Sequence, residues 1–176
     1  MQNSALEHFI SQVKTAWSGL NTETVESVRQ LLINLTRAAK DEPWFQDMLS
    51  GKPAAKELYR DPEHGFILLA HTEEKGTYRQ PHNHGAGWVF YAVLSGEMAM
   101  RTYQQVTTVT GETHLVSRGT DLMQAGQCRV FLPGDIHDTR CLSDAFVQLR
   151  LTSTDFQKEM QEGRLVRFSS PSAAPV

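Results

Sequence analysis

Two apolar stripes at helical spacing open the chain. In LEHFISQVKTAW, Leu6, Phe9, Ile10, Val13 and Trp17 recur with a helical period, and Gly19 stops the pattern. Asn21 or Thr22 caps the next segment, where Val25, Val28, Leu31, Leu32 and Leu35 form a second stripe. Pro43 ends that helix and opens a short third one through Met48. Stripes of this kind bury one helix face against a core. From Leu58 onward the pattern changes to short strand-like runs: GFILLAHT, GWVFYAVLSG, EMAMRTYQQV, ETHLVSR, QCRVFL and AFVQLRLT. Turn residues separate them, as at Asp61-Pro62, Lys75-Gly76, Ser95-Gly96, Gly111, Gly119, Gly126 and Pro133-Gly134. Short strands without intervening helices predict an antiparallel sandwich or barrel. A helix over STDFQKEMQ and a short strand around LVRF follow, and SSPSAAPV reads as a disordered tail. The expected organisation is a helical extension over 1–56 packing on a β domain over 57–168, then the tail at 169–176.

Composition narrows the function. At 176 residues the chain suits a single domain with a core of its own. A net charge of −3 leaves no basic surplus to neutralise phosphates, so nucleic acid is not an expected partner. The apolar runs FILLA and WVFYAVL are too short to cross a bilayer, and MQNSALEHFI lacks the features of a signal peptide. Two cysteines, Cys128 and Cys141, make no disulfide framework and read as packed thiols, consistent with a cytoplasmic protein. Seven histidines against two cysteines mean that any metal site would rest on imidazole.

The chemistry concentrates in GTYRQPHNHGAGWVFYAVLSG, residues 76–96. Positions two apart on a strand share a face, so His82 and His84 point the same way if the strand runs through both. A third ligand comes from elsewhere, and PGDIHD offers His137. By itself this spacing also suits two polar residues at a strand mouth, and imidazole alone does not name the metal. His114 with Glu112 reads as a solvent-facing pair, and His64 and His71 as surface residues, His71 the nearer to the barrel mouth. Tyr91 and Tyr103 read as space-filling or solvent-facing, with Tyr103 the one able to reach a pocket.

Gly76, His82-Asn83-His84 and Gly96 resemble the first sequence motif of the cupin superfamily. GQCRVFLPGDIH resembles the second, through Gly126, Gly134 and His137, with Leu132 where proline is usual. The resemblance implies an all-β double-stranded β-helix, a cupin jelly-roll barrel carrying the N-terminal helical extension, with a metal held by His82, His84 and His137. Most cupins add a glutamate ligand shortly after the histidine pair, where this chain has Trp88 or Val89. Three neutral ligands leave the ion its full charge, which favours anionic exogenous ligands.

LYRDPEHGFILLAHTEEKG and HNHG are similar to the thiol dioxygenases, the group of cysteine dioxygenase and mercaptopropionate dioxygenase. That likeness implies Fe(II), with Zn or Ni as alternatives, and a small thiol and O2 as substrates giving a sulfinate. It also implies a carboxylate-binding arginine, for which Arg60 in Tyr59-Arg60 is the candidate. The Ser-His-Tyr set of the group's last strand is replaced by Gln148, Arg150 and Thr152, and position 89 carries no cysteine for a thioether cross-link. Gln148 and Arg150 are expected to face the barrel interior, Arg150 meeting a substrate acid or Asp135. Other metal-dependent cupin activities, isomerisation or C–C cleavage, and a non-catalytic ligand-binding cupin are the alternatives. A homodimer through barrel edges follows by analogy with the superfamily.

Overall fold

A computed structural model describes residues 4–171. Helix α1, Ala5–Ala16, starts at a capping box in which Ser4 accepts from the Glu7 backbone and Glu7 accepts from the Ser4 backbone. Helix α2, Thr22–Ala38, starts at Asn21, whose side chain accepts from Thr24 N at 2.8 Å. After a single 3-10 turn, Pro43 sits in the first turn of α3, Pro43–Gly51, where its missing N–H costs nothing. Phe9 and Val13 of α1 and Val28, Leu32 and Leu35 of α2 are buried, while Leu6, Ile10, Val25 and Leu31 pack partly buried around them.

Among the described residues nine strands follow, in two antiparallel sheets. They are β1 (Ala55–Arg60), β2 (Ile67–Glu73), β3 (Tyr78–His82), β4 (Val89–Ser95), β5 (Glu97–Thr107), β6 (Thr113–Gln124), β7 (Cys128–Phe131), β8 (Ile136–Cys141) and β9 (Phe146–Thr152). One sheet has the order β1-β2-β9-β4-β7, the other β3-β8-β5-β6. Alternation along β4 and β9 then divides the core in two. Phe90, Ala92 and Leu94 of β4, with Leu149 and Leu151 of β9, meet the helices; Val89, Tyr91 and Val93 meet Met98, Met100 and Phe131 between the sheets. Helices cover one face of the larger sheet and the smaller sheet covers the other, which is why β4 reads as a nearly continuous apolar run. Leu32, fully buried beneath this sheet, tests the helical layer. Leu32→Ala is expected to lower the unfolding free energy by about 2–5 kcal/mol in chemical denaturation. A change well under ~1 kcal/mol would mean that α2 adds nothing to the core.

Several expectations are corrected. No ladder joins the two sheets among the described residues, so the barrel is an open sandwich rather than a closed cylinder. The expected strand at LVRF is reduced to one isolated bridge between His82 and Arg167. The expected helix over STDFQKEMQ is the shorter α4, Phe156–Gln161, with Asp155 as its N-cap. Residues 169–171 have no regular structure, and the rest of the expected tail lies outside the described residues. Among the described residues no helix is long and apolar enough to cross a membrane.

Candidate metal centre

His82 ends β3 and lies directly opposite His137 of β8. Cross-strand partners share a face, so these two imidazoles meet by register alone. His84 needs a different account, because the strand stops before it and alternation no longer applies. It sits at the head of a turn in which Gly87 N donates to His84 O at 3.1 Å, with Gly85 at φ +64. Glu159 of α4 latches that turn: its carboxylate accepts from Ala86 N at 2.9 Å and from Arg164 Nε at 2.8 Å. A Cβ at Gly85 would collide with this carboxylate, so glycine is needed there for space as well as for backbone conformation. Asn83 fastens the other side, its N–H donating to Val166 O at 3.0 Å and its side-chain oxygen accepting from Val166 N at 2.8 Å. The His84 ring then stacks on Phe156 at 5.1 Å.

Hydrogen bonds from Arg164 outweigh burial and hold the Glu159 carboxyl down at about 2. A folded value below the ordinary 4.5 gives stability that is complete above pH 4.5 and lost as pH falls toward 2. Between Glu159→Gln and wild type, the stability gap is therefore expected to be constant above pH 5 and to narrow steadily on acidification. Denaturation curves across that range check it, and a gap that does not change with pH would contradict the latch.

The imidazole nitrogens converge. His84 Nε2 and His137 Nε2 are 3.2 Å apart, and one ligand atom from each of the three histidines lies within 4.8 Å of the others. Two nitrogens at ~2.1 Å from a shared ion stand about 3.0 Å apart at a right angle and about 3.4 Å apart at the tetrahedral angle, so the observed pair already has ligand spacing. His82 Nδ1 lies 2.9 Å from Gln80 O, the contact that fixes its proton there and leaves Nε2 a free lone pair. Burial pushes the pKa values of all three rings below the usual histidine range, so they are neutral at pH 7 and able to bind a metal. The donor set fits a divalent ion. No carboxylate belongs to the cluster. Between the two positions considered for a glutamate, Val89 faces the interior with Tyr91, whereas Trp88 turns away to stack on Trp17 at 4.8 Å.

Beside the histidines opens a cavity of about 450 Å³. Gln148 and Arg150 line it, as their alternation on β9 predicts. Arg150 lies 4.7 Å over the Phe156 ring, with the Tyr91 hydroxyl interacting with its guanidinium. Its Nε has no partner, and burial lowers its pKa. The anticipated partner Asp135 is elsewhere, accepting from Leu132 N at 2.7 Å. Arg60 is also not in the site. Strand β1 turns it to the surface, where Glu57 at 2.8 Å and Asp155 at 3.2 Å hold it.

Two residues join the site that their sequence context did not reveal. The Tyr91 hydroxyl lies 3.3 Å from His84 Nε2, and burial raises its pKa, keeping it a neutral donor. Tyr91 follows Val89 by two on an inward-facing strand, and that spacing was the available signal. His71, expected at the surface, lines the cavity opposite Gln148. Its Nδ1 meets Ala54 O at 3.2 Å, its buried Nε2 is unpartnered, and burial assisted by Arg150 pulls its pKa to about 3. Glu73 Oε2 and Gln148 Oε1 are unpartnered at the same wall. Tyr103 faces away and donates to Asp138 Oδ2 at 2.5 Å, and His114 with Glu112 is exposed as expected. Cys128 and Cys141 are free and buried, the Cys128 thiol pushed by burial to about 12.

No family model and no curated protein matches the chain. Among solved structures it is similar to KdgF from Halomonas sp., at 15% identity over 56% of this chain and 74% of that one, with a TM-score of 0.42. It is similar to the cupin domain of Schizosaccharomyces pombe Cnp3, at 11% identity over 62% and 69%, with a TM-score of 0.45. A third likeness is a cupin superfamily protein from Desulfitobacterium hafniense, at 14% identity over 57% and 76%, with a TM-score of 0.43. Two of these three structures are described as cupins.

Proposed function

We propose that this protein is a metal-dependent enzyme of cupin type, a non-heme Fe(II) dioxygenase that oxidises a small acid-bearing thiol to its sulfinate. One observation carries the reading: three neutral imidazoles meet, with no carboxylate among them, beside a cavity that His82 and His137 line and that also presents Arg150. His82, His84 and His137 would hold the ion, and a redox-active divalent metal supplies a Lewis-acidic position for a thiolate and the electron chemistry that dioxygen requires. The chain's own residues do the rest. Arg150 offers a planar pair of donors to a substrate carboxylate. Tyr91 places a hydroxyl beside His84, within reach of a substrate lying between the histidines and Arg150. Phe156, Met160 and Leu165 form an apolar wall that limits water. The overall change is thiolate plus O2 to sulfinate: two S–O bonds form, the O–O bond breaks, and sulfur loses the four electrons that dioxygen gains.

The test is metal analysis of the purified protein, then oxygen uptake by the iron-loaded form with cysteine, mercaptopropionate, mercaptosuccinate and cysteamine. The expected result is one O2 per thiol, a product heavier by two oxygen atoms, and preference for the thiols that carry a carboxylate. No uptake with any of them overturns the reading. A second reading is favoured by the unpartnered Glu73 Oε2 and His71 Nε2, two polar atoms at the cavity wall that could orient a polar substrate without a thiol. It is isomerisation or C–C cleavage of a small acid, the metal serving as Lewis acid. Turnover of such an acid without oxygen consumption selects it.

A further inference from the structure

Three guanidiniums line the cavity beside the histidines: those of Arg79, Arg150 and Arg167. Glu73 is the one carboxylate among the lining residues, and it is already paired with Arg79. Among the described residues neither Arg150 nor Arg167 forms an ion pair. Two positive charges therefore face one cavity uncompensated, and a divalent ion on the three histidines would add two more. A thiolate and a single carboxylate would meet only half of that charge.

The backbone fixes Arg167 where it stands. Asn83 holds Val166 at both its carbonyl and its N–H, and Phe168 N donates to Pro81 O at 2.8 Å. Between these anchors Arg167 makes an isolated antiparallel bridge to His82. Opposed residues in such a pair share a face, so the Arg167 side chain leaves the backbone on the side of the His82 imidazole. Arg150 stands elsewhere around the cluster. It projects from β9 over the Phe156 ring, which itself stacks on His84. The electrostatics follow the same division. Burial leads in lowering the His82 pKa, and among the guanidiniums that add to it Arg167 comes first and Arg150 last. For His84, after burial and the His82 charge, the contributing guanidinium is Arg150.

We propose that Arg167 is a second anion-binding residue of this site and that the ligand is a small dicarboxylate, one acid on Arg150 and the other on Arg167. The inference rests on reading the cavity as the substrate site, and within the dioxygenase reading it makes the substrate a thiol with two acid groups. Each guanidinium offers a planar fork that matches a carboxylate. The two arginines divide the work by burial. Arg150 is largely enclosed, so the acid it holds is desolvated and carries most of the affinity. Arg167 is exposed at the rim, where an ion pair contributes less and serves chiefly to distinguish two acids from one.

Calorimetric titration with succinate, butyrate and succinamate tests this, on the protein as purified and again after removal of metal. The three ligands share a four-carbon chain and differ at one end, which is a carboxylate, a methyl group or a neutral amide. Succinate is expected to bind about tenfold more tightly than the other two. Arg167→Gln should abolish that advantage, Arg167→Lys should keep part of it, and Arg150→Met should weaken all three ligands. The thermal transition of each variant verifies folding. Succinate binding that is absent, or no tighter than butyrate binding, overturns the proposal. A diacid advantage that survives Arg167→Gln overturns the role of Arg167. The dioxygenase reading stands or falls separately: a diacid advantage without oxygen uptake by any thiol sinks that reading and leaves this one, and uptake with monoacid thiols but no diacid advantage does the reverse.

Discussion

Replacing His82 by alanine is expected to reduce bound metal from one equivalent per chain to near zero and to remove any metal-dependent activity with it. His82 is the most accessible of the three histidines, so its loss disturbs the fold least. Its partner on the proton side is only the Gln80 carbonyl. Two imidazoles 3.2 Å apart remain in the variant, a bidentate remnant with no carboxylate to replace the missing donor. Elemental analysis after dialysis checks the result, with the thermal transition as the measure of folding. Metal retained at wild-type occupancy would remove His82 from the ligand set and, with it, the basis for reading this cavity as a metal centre.

Arg150→Met separates binding from stability. Arg150 sits at the cavity wall, and among the described residues it makes no ion pair with a carboxylate and its buried Nε has no acceptor. Loss of the guanidinium is expected to weaken binding of an acidic ligand by about 30-fold or more, the usual cost of deleting one partner of a desolvated charge pair. Folding stability should hold or rise, because methionine keeps an apolar stem and relieves an incompletely paired buried charge, which outweighs the lost guanidinium contact with Phe156. Calorimetric titration and urea denaturation of the same samples give both quantities. Unchanged affinity takes Arg150 out of the binding site, and a stability loss of several kcal/mol would show that it serves the fold instead.

The helices and the apolar strands were legible because burial enforces period. Val28, Leu32 and Leu35 mark α2, and the run from Val89 to Leu94 marks β4, buried on both faces. Of the strands that were not recognised, β1, β3 and β8, the last two carry histidine, threonine and arginine where a core strand would carry valine. Those polar residues face the cavity, so the signal that hid the strands is the signal of the site itself. His84 was found for an incomplete reason. Strand alternation accounts for His82, but a turn, a glycine and the distant Glu159 bring His84 to it. Arg60 was misplaced because a dipeptide context says nothing about facing, and β1 has a register shift between Glu57 and Tyr59. His71 was hidden because one exposed-looking histidine on an apolar strand reads alike whether it faces water or a cavity. Only the packing of β2 against β9 distinguishes the two.

The contacts that seat residues 82–86 come from far along the chain: Glu159, Arg164, Val166 and the bridge to Arg167. While a ribosome is still making the protein, β3 emerges long before any of these, and before His137 as well. The imidazoles of a nascent chain are therefore solvated and unorganised until the C-terminal segment has folded back across them. An ion held by these three histidines would then be acquired after synthesis, by a chain already folded.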